Sequence, residues 1–298
     1  MTETPPVTPP VARPTARDAA TRWLPRLAWA NLVANIAIVV TGGAVRLTGS
    51  GLGCPTWPRC TDQSYVPHQA LGVHGAIEFG NRMLTWVLVV VAIACVVAAF
   101  GTADRRARWL SVLIALGIPA QGVIGGITVL TDLNPWVVSI HLLVSMALIG
   151  ICVVLVDHLR AAAPDPAPQQ VRRLAWLVFA VGWVVLYLGT VVTGSGPHSG
   201  DLDSRRTGLD PQVMSHVHAG AVYLLVALTI GIVALARRQR AAGVAQVAAL
   251  LLLLEVAQGV VGFAQYLLDL PEALVAVHML GAALTSAGIT RLVLRARG

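Results

Sequence analysis

Ala120-Gln121-Gly122-Val123-Ile124-Gly125 is followed by Leu133 and then His141. Ala257-Gln258-Gly259-Val260-Val261-Gly262 is followed by Leu270 and then His278. The offset is 137 residues at each of these positions. A hydrophobic unit written twice, with its histidine repeated, predicts two related pockets, each with an imidazole at the same depth. An internal repeat of this kind decides the architecture before any local signal is weighed.

Working outward, the chain is 56% hydrophobic and 12% charged. Runs of about 20 apolar residues are long enough to cross a bilayer core. Eight occur, at roughly 27–45, 72–99, 108–130, 136–157, 174–193, 213–236, 244–267 and 273–294. Runs of this length satisfy their backbone in lipid as helices. The expected fold is an all-α integral membrane protein with eight transmembrane helices, arranged as two pseudo-symmetric four-helix bundles. Residues 159–173, with Ala161-Ala162-Ala163-Pro164-Asp165-Pro166-Ala167-Pro168, read as a cytoplasmic linker between an N-terminal bundle (27–158) and a C-terminal bundle (174–298). Each half has an even number of spans, so the repeats are parallel, related by an axis along the membrane normal.

The net charge of +7 is not a nucleic-acid signal. All 21 basic residues are arginine, and they alternate by loop. Arg22 and Arg26, Arg105 to Arg108, Arg160 to Arg173, Arg237 to Arg240 and Arg291 to Arg297 fall on one side. The other side holds only Arg46, Arg59, Arg205 and Arg206. The positive-inside rule places both termini of a multi-pass membrane protein in the cytoplasm and supports an even number of spans. The membrane lipid is its expected surroundings, and no nucleic-acid partner is expected. Residues 1–26, rich in Pro, Thr and Ala at the start, read as a disordered tail and not a cleaved signal peptide. Trp23, Trp29, Trp109, Trp136 and Trp176 fall near span ends, as interfacial anchors do.

Cys95 and Cys152 fall inside spans and read as small buried hydrophobes. Cys54 and Cys60 share the first outer loop. That loop faces the oxidising side, which favours a disulfide over two free thiols. Without a second close pair they do not make a metal site. The loops at about 46–71 and 194–212 occupy equivalent places and begin alike, with Thr48-Gly49-Ser50-Gly51 and Thr193-Gly194-Ser195-Gly196. Both are placed to cap the pockets.

Carried to the second span of each half, the repeat offset places His218 on Asn81. The C-terminal half then has His218 and His278, one from each of two even-numbered spans. Two imidazoles on facing helices are the usual axial ligands of a haem iron. Intramembrane ionisable groups are costly and mark function, which favours ligation over a pair of structural histidines. His216 is the alternative ligand, but two residues on a helix point to different faces, and the offset selects His218. In the N-terminal half, His74, Glu78 and Asn81 share one helical face at i, i+4, i+7, with Arg82 next. A buried carboxylate needs a partner or a proton. Glu78 therefore has two readings of equal weight: an acid–base group, or an ion pair with Arg82. The asymmetry predicts that the two-histidine half carries electrons and the His141 half does chemistry.

These residues resemble haem A synthase, the membrane enzyme of cytochrome oxidase assembly. The resemblance rests on Thr41-Gly42-Gly43-Ala44-Val45-Arg46-Leu47-Thr48-Gly49-Ser50-Gly51-Leu52-Gly53-Cys54-Pro55-Thr56-Trp57-Pro58-Arg59-Cys60. It rests also on Ile77-Glu78-Phe79-Gly80-Asn81-Arg82 and on both Gln-Gly hairpins, and it spans nearly all of 27–294. It implies oxidation of a ring methyl of haem O to a formyl group, giving haem A, by two successive hydroxylations and loss of water. It implies a haem b cofactor held by His218 and His278. It also implies a haem O site in the N-terminal half, with His141, Asn81, Arg82 and His74 around the substrate and Glu78 as the key glutamate. A Cys54–Cys60 disulfide is implied as well. Haem O synthase, oxidase assembly proteins and an electron donor are the partners it implies. Two departures stand out: many members have histidine where this chain has Asn81, and some carry a second cysteine pair in the loop that here spans 194–212. The competing readings are a non-catalytic membrane b-type cytochrome and a transporter with a polar cavity.

Overall fold

The computed structural model describes residues 16–160, 167–198, 200–201 and 204–297. Eight helices follow in order: α1 Ala16–Leu47, α2 Gly72–Phe100, α3 Arg105–Leu130, α4 Pro135–His158, α5 Gln169–Ser195, α6 Pro211–Arg238, α7 Ala242–Leu267 and α8 Glu272–Arg297. Each is long and apolar enough to cross a membrane. With no strand among the described residues, the chain is an all-α, multi-pass membrane protein.

Local chemistry sets the helix starts. Asp104 accepts from the Ala107 N–H at 2.9 Å, Asn134 from Trp136 at 3.0 Å and Asp210 from Val213 at 2.9 Å. Each supplies an acceptor to an otherwise orphaned first-turn N–H. Pro135 and Pro211 follow their caps directly, where a missing N–H costs nothing.

The duplication extends to the backbone. Asp132 and Leu133 close the turn from α3 to α4 with φ of 51° and 54°; Asp269 and Leu270 close that from α7 to α8 with 55° and 59°. The Leu133 N–H donates to Thr128 O at 2.8 Å and the Leu270 N–H to Gln265 O at 2.9 Å. All of these positions keep the 137-residue offset. A left-handed leucine is uncommon, and both copies retain it. Leu133 is buried, in contact range of Gly51 and Gly200 in the two long loops.

The N-terminal helices touch in the order α1–α2–α3–α4 and back to α1, and the C-terminal helices in the order α5–α6–α7–α8 and back to α5. Between these rings, α1 and α4 meet α8, and α4 meets α5. This seam is where most of the core sits. Met146, Ile149 and Leu155 of α4, Val171 and Val178 of α5, and Ile289 and Leu292 of α8 are all fully buried. Small residues allow the approach, with Gly150 facing Thr290 and Gly182 facing Ile289, as in membrane helix pairs generally. Ser286 Oγ donates across the seam to Met146 O at 2.8 Å. Cys95 and Cys152 are free and buried.

Two boundaries differ from expectation. Helix α1 begins at Ala16, inside the segment 1–26 read as a tail; residues 1–15 lie outside the described residues. Apolar-run counting missed residues 16–26 because they are amphipathic. Leu24 packs into the core at 2% exposure, while Arg26 stacks over Trp23 at 5.2 Å. Within the linker read at 159–173, α5 already starts at Gln169, and residues 161–166 lie outside the described residues. Trp29 and Trp176, read as interfacial anchors, are also exposed and covered by Arg160 and Arg297.

Candidate functional site

In the C-terminal ring, α6 and α8 stand at opposite corners, separated by α5 and α7. His218 on α6 and His278 on α8 therefore sit on the two helices that face each other across that gap. Each ring rests on a glycine of a neighbouring helix. The Cβ position of Gly189 on α5 lies 3.4 Å from His218 Cε1, and that of Gly262 on α7 lies 3.7 Å from His278 Cε1. Both rings are half-buried, and the Nδ1 of each is buried without a hydrogen-bond partner. The Val185 backbone is within hydrogen-bonding reach of the His218 ring, whereas no partner offsets the burial of His278 Nδ1, which costs about 1–3 kcal/mol. Two imidazoles presented from facing helices are a donor set that fits the two axial positions of a haem iron. His216 is placed apart from them. It is exposed, and its ring lies 6.1 Å from that of Tyr266.

The N-terminal ring repeats the motif once. His141 on α4 rests on Gly125 of α3, and a methyl there would stand 3.2 Å from His141 Cε1, tight enough to move the ring. Its Nδ1 is likewise buried and unpaired. At the opposite corner, Asn81 on α2 accepts from Thr41 Oγ1 at 2.8 Å, and its Nδ2 faces Gly42. An amide offers no strong iron ligand, so this ring presents one imidazole where the other presents two.

Glu78, His74 and Arg82 are drawn toward the long loop instead. Glu78 is 5% exposed, and both of its oxygens are engaged. Oε2 accepts from the Cys54 N–H at 2.6 Å; Oε1 accepts from Arg82 Nη2 at 2.5 Å and Nε at 3.1 Å. Arg82 also donates to the carbonyls of Cys54 at 3.0 Å, Thr56 at 3.1 Å and Arg59 at 3.2 Å. The ion pair, one of the two readings of Glu78, is the arrangement the structure forms. It grips the loop closed by the Cys54–Cys60 disulfide. The loop approaches α2 so closely that a side chain at Gly53 would meet the backbone of His74 and Gly75. The exposed His74 bonds through Nδ1 to Ser50 Oγ at 2.9 Å. Trp57 from the same loop lies against Gly126, beside the glycine under His141.

Three side chains make contacts that sequence reading did not supply. Arg46 leaves the end of α1 and donates to His198 O at 2.6 Å and Thr193 O at 3.0 Å, tying the first long loop to the second. Gln121 Nε2 donates to His141 O at 2.9 Å and to Ser145 Oγ. Glu255 on α7 is buried, with Thr229 Oγ1 at 3.0 Å. The repeat itself pointed at Gln121; the reach of Arg46 across the halves left no trace in spacing. Among the described residues, no three His, Cys, Asp or Glu side chains gather to hold a bare metal ion.

Residues 25–197 match a family profile described as "Cytochrome oxidase assembly protein". Among curated relatives, a "Heme A synthase" of Methylorubrum populi is 28% identical over 232 residues, 65% of this chain and 61% of that protein. One of Methylorubrum extorquens is 30% identical over 205 residues, 56% and 54% of the two chains. One of Geobacillus thermodenitrificans is 30% identical over 122 residues, 40% and 38%. The chain spans less than two thirds of the length of these relatives.

Proposed function

The chain belongs to the cytochrome oxidase assembly protein family, and on that premise we propose that it is a haem A synthase. It takes haem O into the N-terminal ring and oxidises a porphyrin methyl to a formyl group. In each of two hydroxylations external dioxygen is the oxidant: one of its atoms enters the C–H bond and the other leaves as water with two electrons and two protons from the donor. The methyl becomes a hydroxymethyl and then a gem-diol, which loses water. The observation that carries this reading is the unequal pair of imidazole sites. His218 and His278 fit a permanently held haem b, which supplies one-electron chemistry when bound. His141 alone, opposite Asn81, fits a haem that must enter and leave as substrate and product. We read the two rings of helices as two four-helix bundles, residues 27–158 and 174–298. Both termini are assigned to the cytoplasm on the arginine asymmetry, and the membrane is taken as a bacterial cell membrane after the bacterial relatives.

The residues around His141 divide the work. Gly125 and the α4 backbone orient the imidazole. Trp57 and the disulfide-closed loop cover the ring's loop side and exclude water. Glu78 is assigned to proton handling near the methyl, held by the Cys54 N–H and Arg82 at that loop. An electron donor, haem O synthase and oxidase assembly proteins are the partners this role requires.

Pigment analysis tests the reading. Cells making the protein together with a haem O source are expected to accumulate haem A, and His278→Ala is expected to abolish both haem A and the two-histidine low-spin spectrum. Cells accumulating only haem b would instead indicate a b-type cytochrome.

A further inference from the structure

Gln121 is held in one orientation. His141 O can only accept, so the amide atom 2.9 Å from it is the nitrogen. That nitrogen also reaches Ser145 Oγ, whose own hydrogen goes to His141 O at 3.0 Å. The other end of the amide, Oε1, is left buried without a partner. A buried acceptor with no donor is uncommon in a folded protein and asks for an explanation. Its position supplies one. Gln121 lies one turn along α3 from Gly125, the residue under the His141 ring, and its nitrogen bonds the His141 main chain. Two unpaired buried atoms, Gln121 Oε1 and His141 Nδ1, therefore belong to one corner of the N-terminal ring.

The repeat provides an internal comparison. At the 137-residue offset, Gln258 matches Gln121, but Ala282 stands where Ser145 is and Gly281 where Val144 is. Without the serine anchor and with a glycine to lie on, the Gln258 amide packs directly against Gly281. Neither of its polar atoms is a buried orphan. Of the two repeat-related glutamines, only Gln121, in the half that lacks the second histidine, keeps an oriented amide with a buried, unpaired oxygen.

We propose that Gln121 Oε1, fixed by Ser145 and His141 O, is the acceptor for a hydroxyl on the tetrapyrrole bound in the N-terminal ring. This rests on the substrate site assigned above and adds the group that selects the substrate. Haem b has no hydroxyl. Haem O has one on its hydroxyalkyl chain, and the first ring hydroxylation makes another. A site built to bond a hydroxyl rejects the analogue lacking it more strongly than an apolar pocket can. The C-terminal ring, with Gln258 turned onto Gly281, has no such requirement and fits the hydroxyl-free haem.

Tetrapyrrole titrations of the full-length protein in detergent, with the C-terminal haem in place, test this. The low-spin signal of His218 and His278 reports that each variant is folded. Gln121→Met is expected to weaken haem O binding about threefold to tenfold and to leave haem b binding at the N-terminal ring unchanged. Capping the haem O hydroxyl as a methyl ether is expected to weaken binding to the unsubstituted protein by the same factor. This arm stands even if the variant fails to fold. A loss confined to the ring-hydroxymethyl derivative would assign the acceptor to the reaction's first alcohol instead of the side chain. Equal binding of all ligands by both proteins, or an equal loss for haem O and haem b, overturns the proposal. An unsubstituted protein that binds no tetrapyrrole in the N-terminal ring overturns the substrate site itself, and the subsite with it.

Discussion

At the scale of single residues, the Glu78–Arg82 pair shows how burial converts a charge into a structural demand. The Glu78 side chain is 7% exposed and that of Arg82 20%, so neither charge is satisfied by water. Replacing one partner strands the other, a change worth about 3–5 kcal/mol, while removing both charges costs far less. Arg82→Met is therefore expected to lower stability by about 3 kcal/mol and to release the loop from α2. Adding Glu78→Gln to it is expected to restore most of that loss, since a glutamine still accepts from the Cys54 N–H. Thermal unfolding of the single and double variants in detergent measures both. A double variant no more stable than Arg82→Met would show that the arginine's bonds to the loop carbonyls, and not the charge pairing, hold this corner. The sequence placed Glu78 and Arg82 one turn apart and left two roles open. Only the fold brought the Cys54 N–H to the second carboxylate oxygen.

At the scale of elements, the repeated turns are more informative than the helices they join. Any run of 20 apolar residues becomes a helix in lipid, so helix existence carries little detail about this protein. The left-handed pairs Asp132-Leu133 and Asp269-Leu270 are specific: they bring the histidine-bearing helix back against the glycine-bearing one in matching register. Aspartate tolerates this backbone and β-branched residues do not. Asp269→Val is expected to destabilise the α7–α8 turn by about 1–2 kcal/mol, and Asp269→Gly to be neutral or slightly stabilising. The exposed position makes lost packing a minor confounder. Unfolding midpoints of the two variants test the sign, and equal midpoints would contradict the backbone argument. The caps at Asp104, Asn134 and Asp210 follow a local rule that apolar-run counting did not use. The early start of α1 was not legible, because its first turns are held by Leu24 and by arginine over tryptophan, features that hydropathy alone does not count.

At the scale of the whole molecule, one scaffold has been written twice and then made unequal. The two rings share their glycine-backed histidine, left-handed turn and glutamine, and they differ at Asn81 against His218 and at Ser145 against Ala282. If position 81 alone decides ligation, Asn81→His is expected to give the N-terminal ring two imidazoles. Electronic and paramagnetic spectra would then show a second low-spin haem in addition to that of His218 and His278, with product formation falling about tenfold or more as the exchangeable position closes. An unchanged spectrum would mean that the side chain at 81 does not reach the iron. The amino-acid sequence by itself determined the all-helical membrane class, the duplication and which histidines the repeat pairs, because these follow from apolar length and from spacing along one chain. Tertiary structure alone decided what the polar side chains meet. It turned Glu78 toward Arg82 and the loop, ran Arg46 from α1 to the loop after α5, and left the Gln121 carbonyl without a donor. Hydrogen bonds form between atoms a few ångströms apart in space, and distance along the chain does not record that.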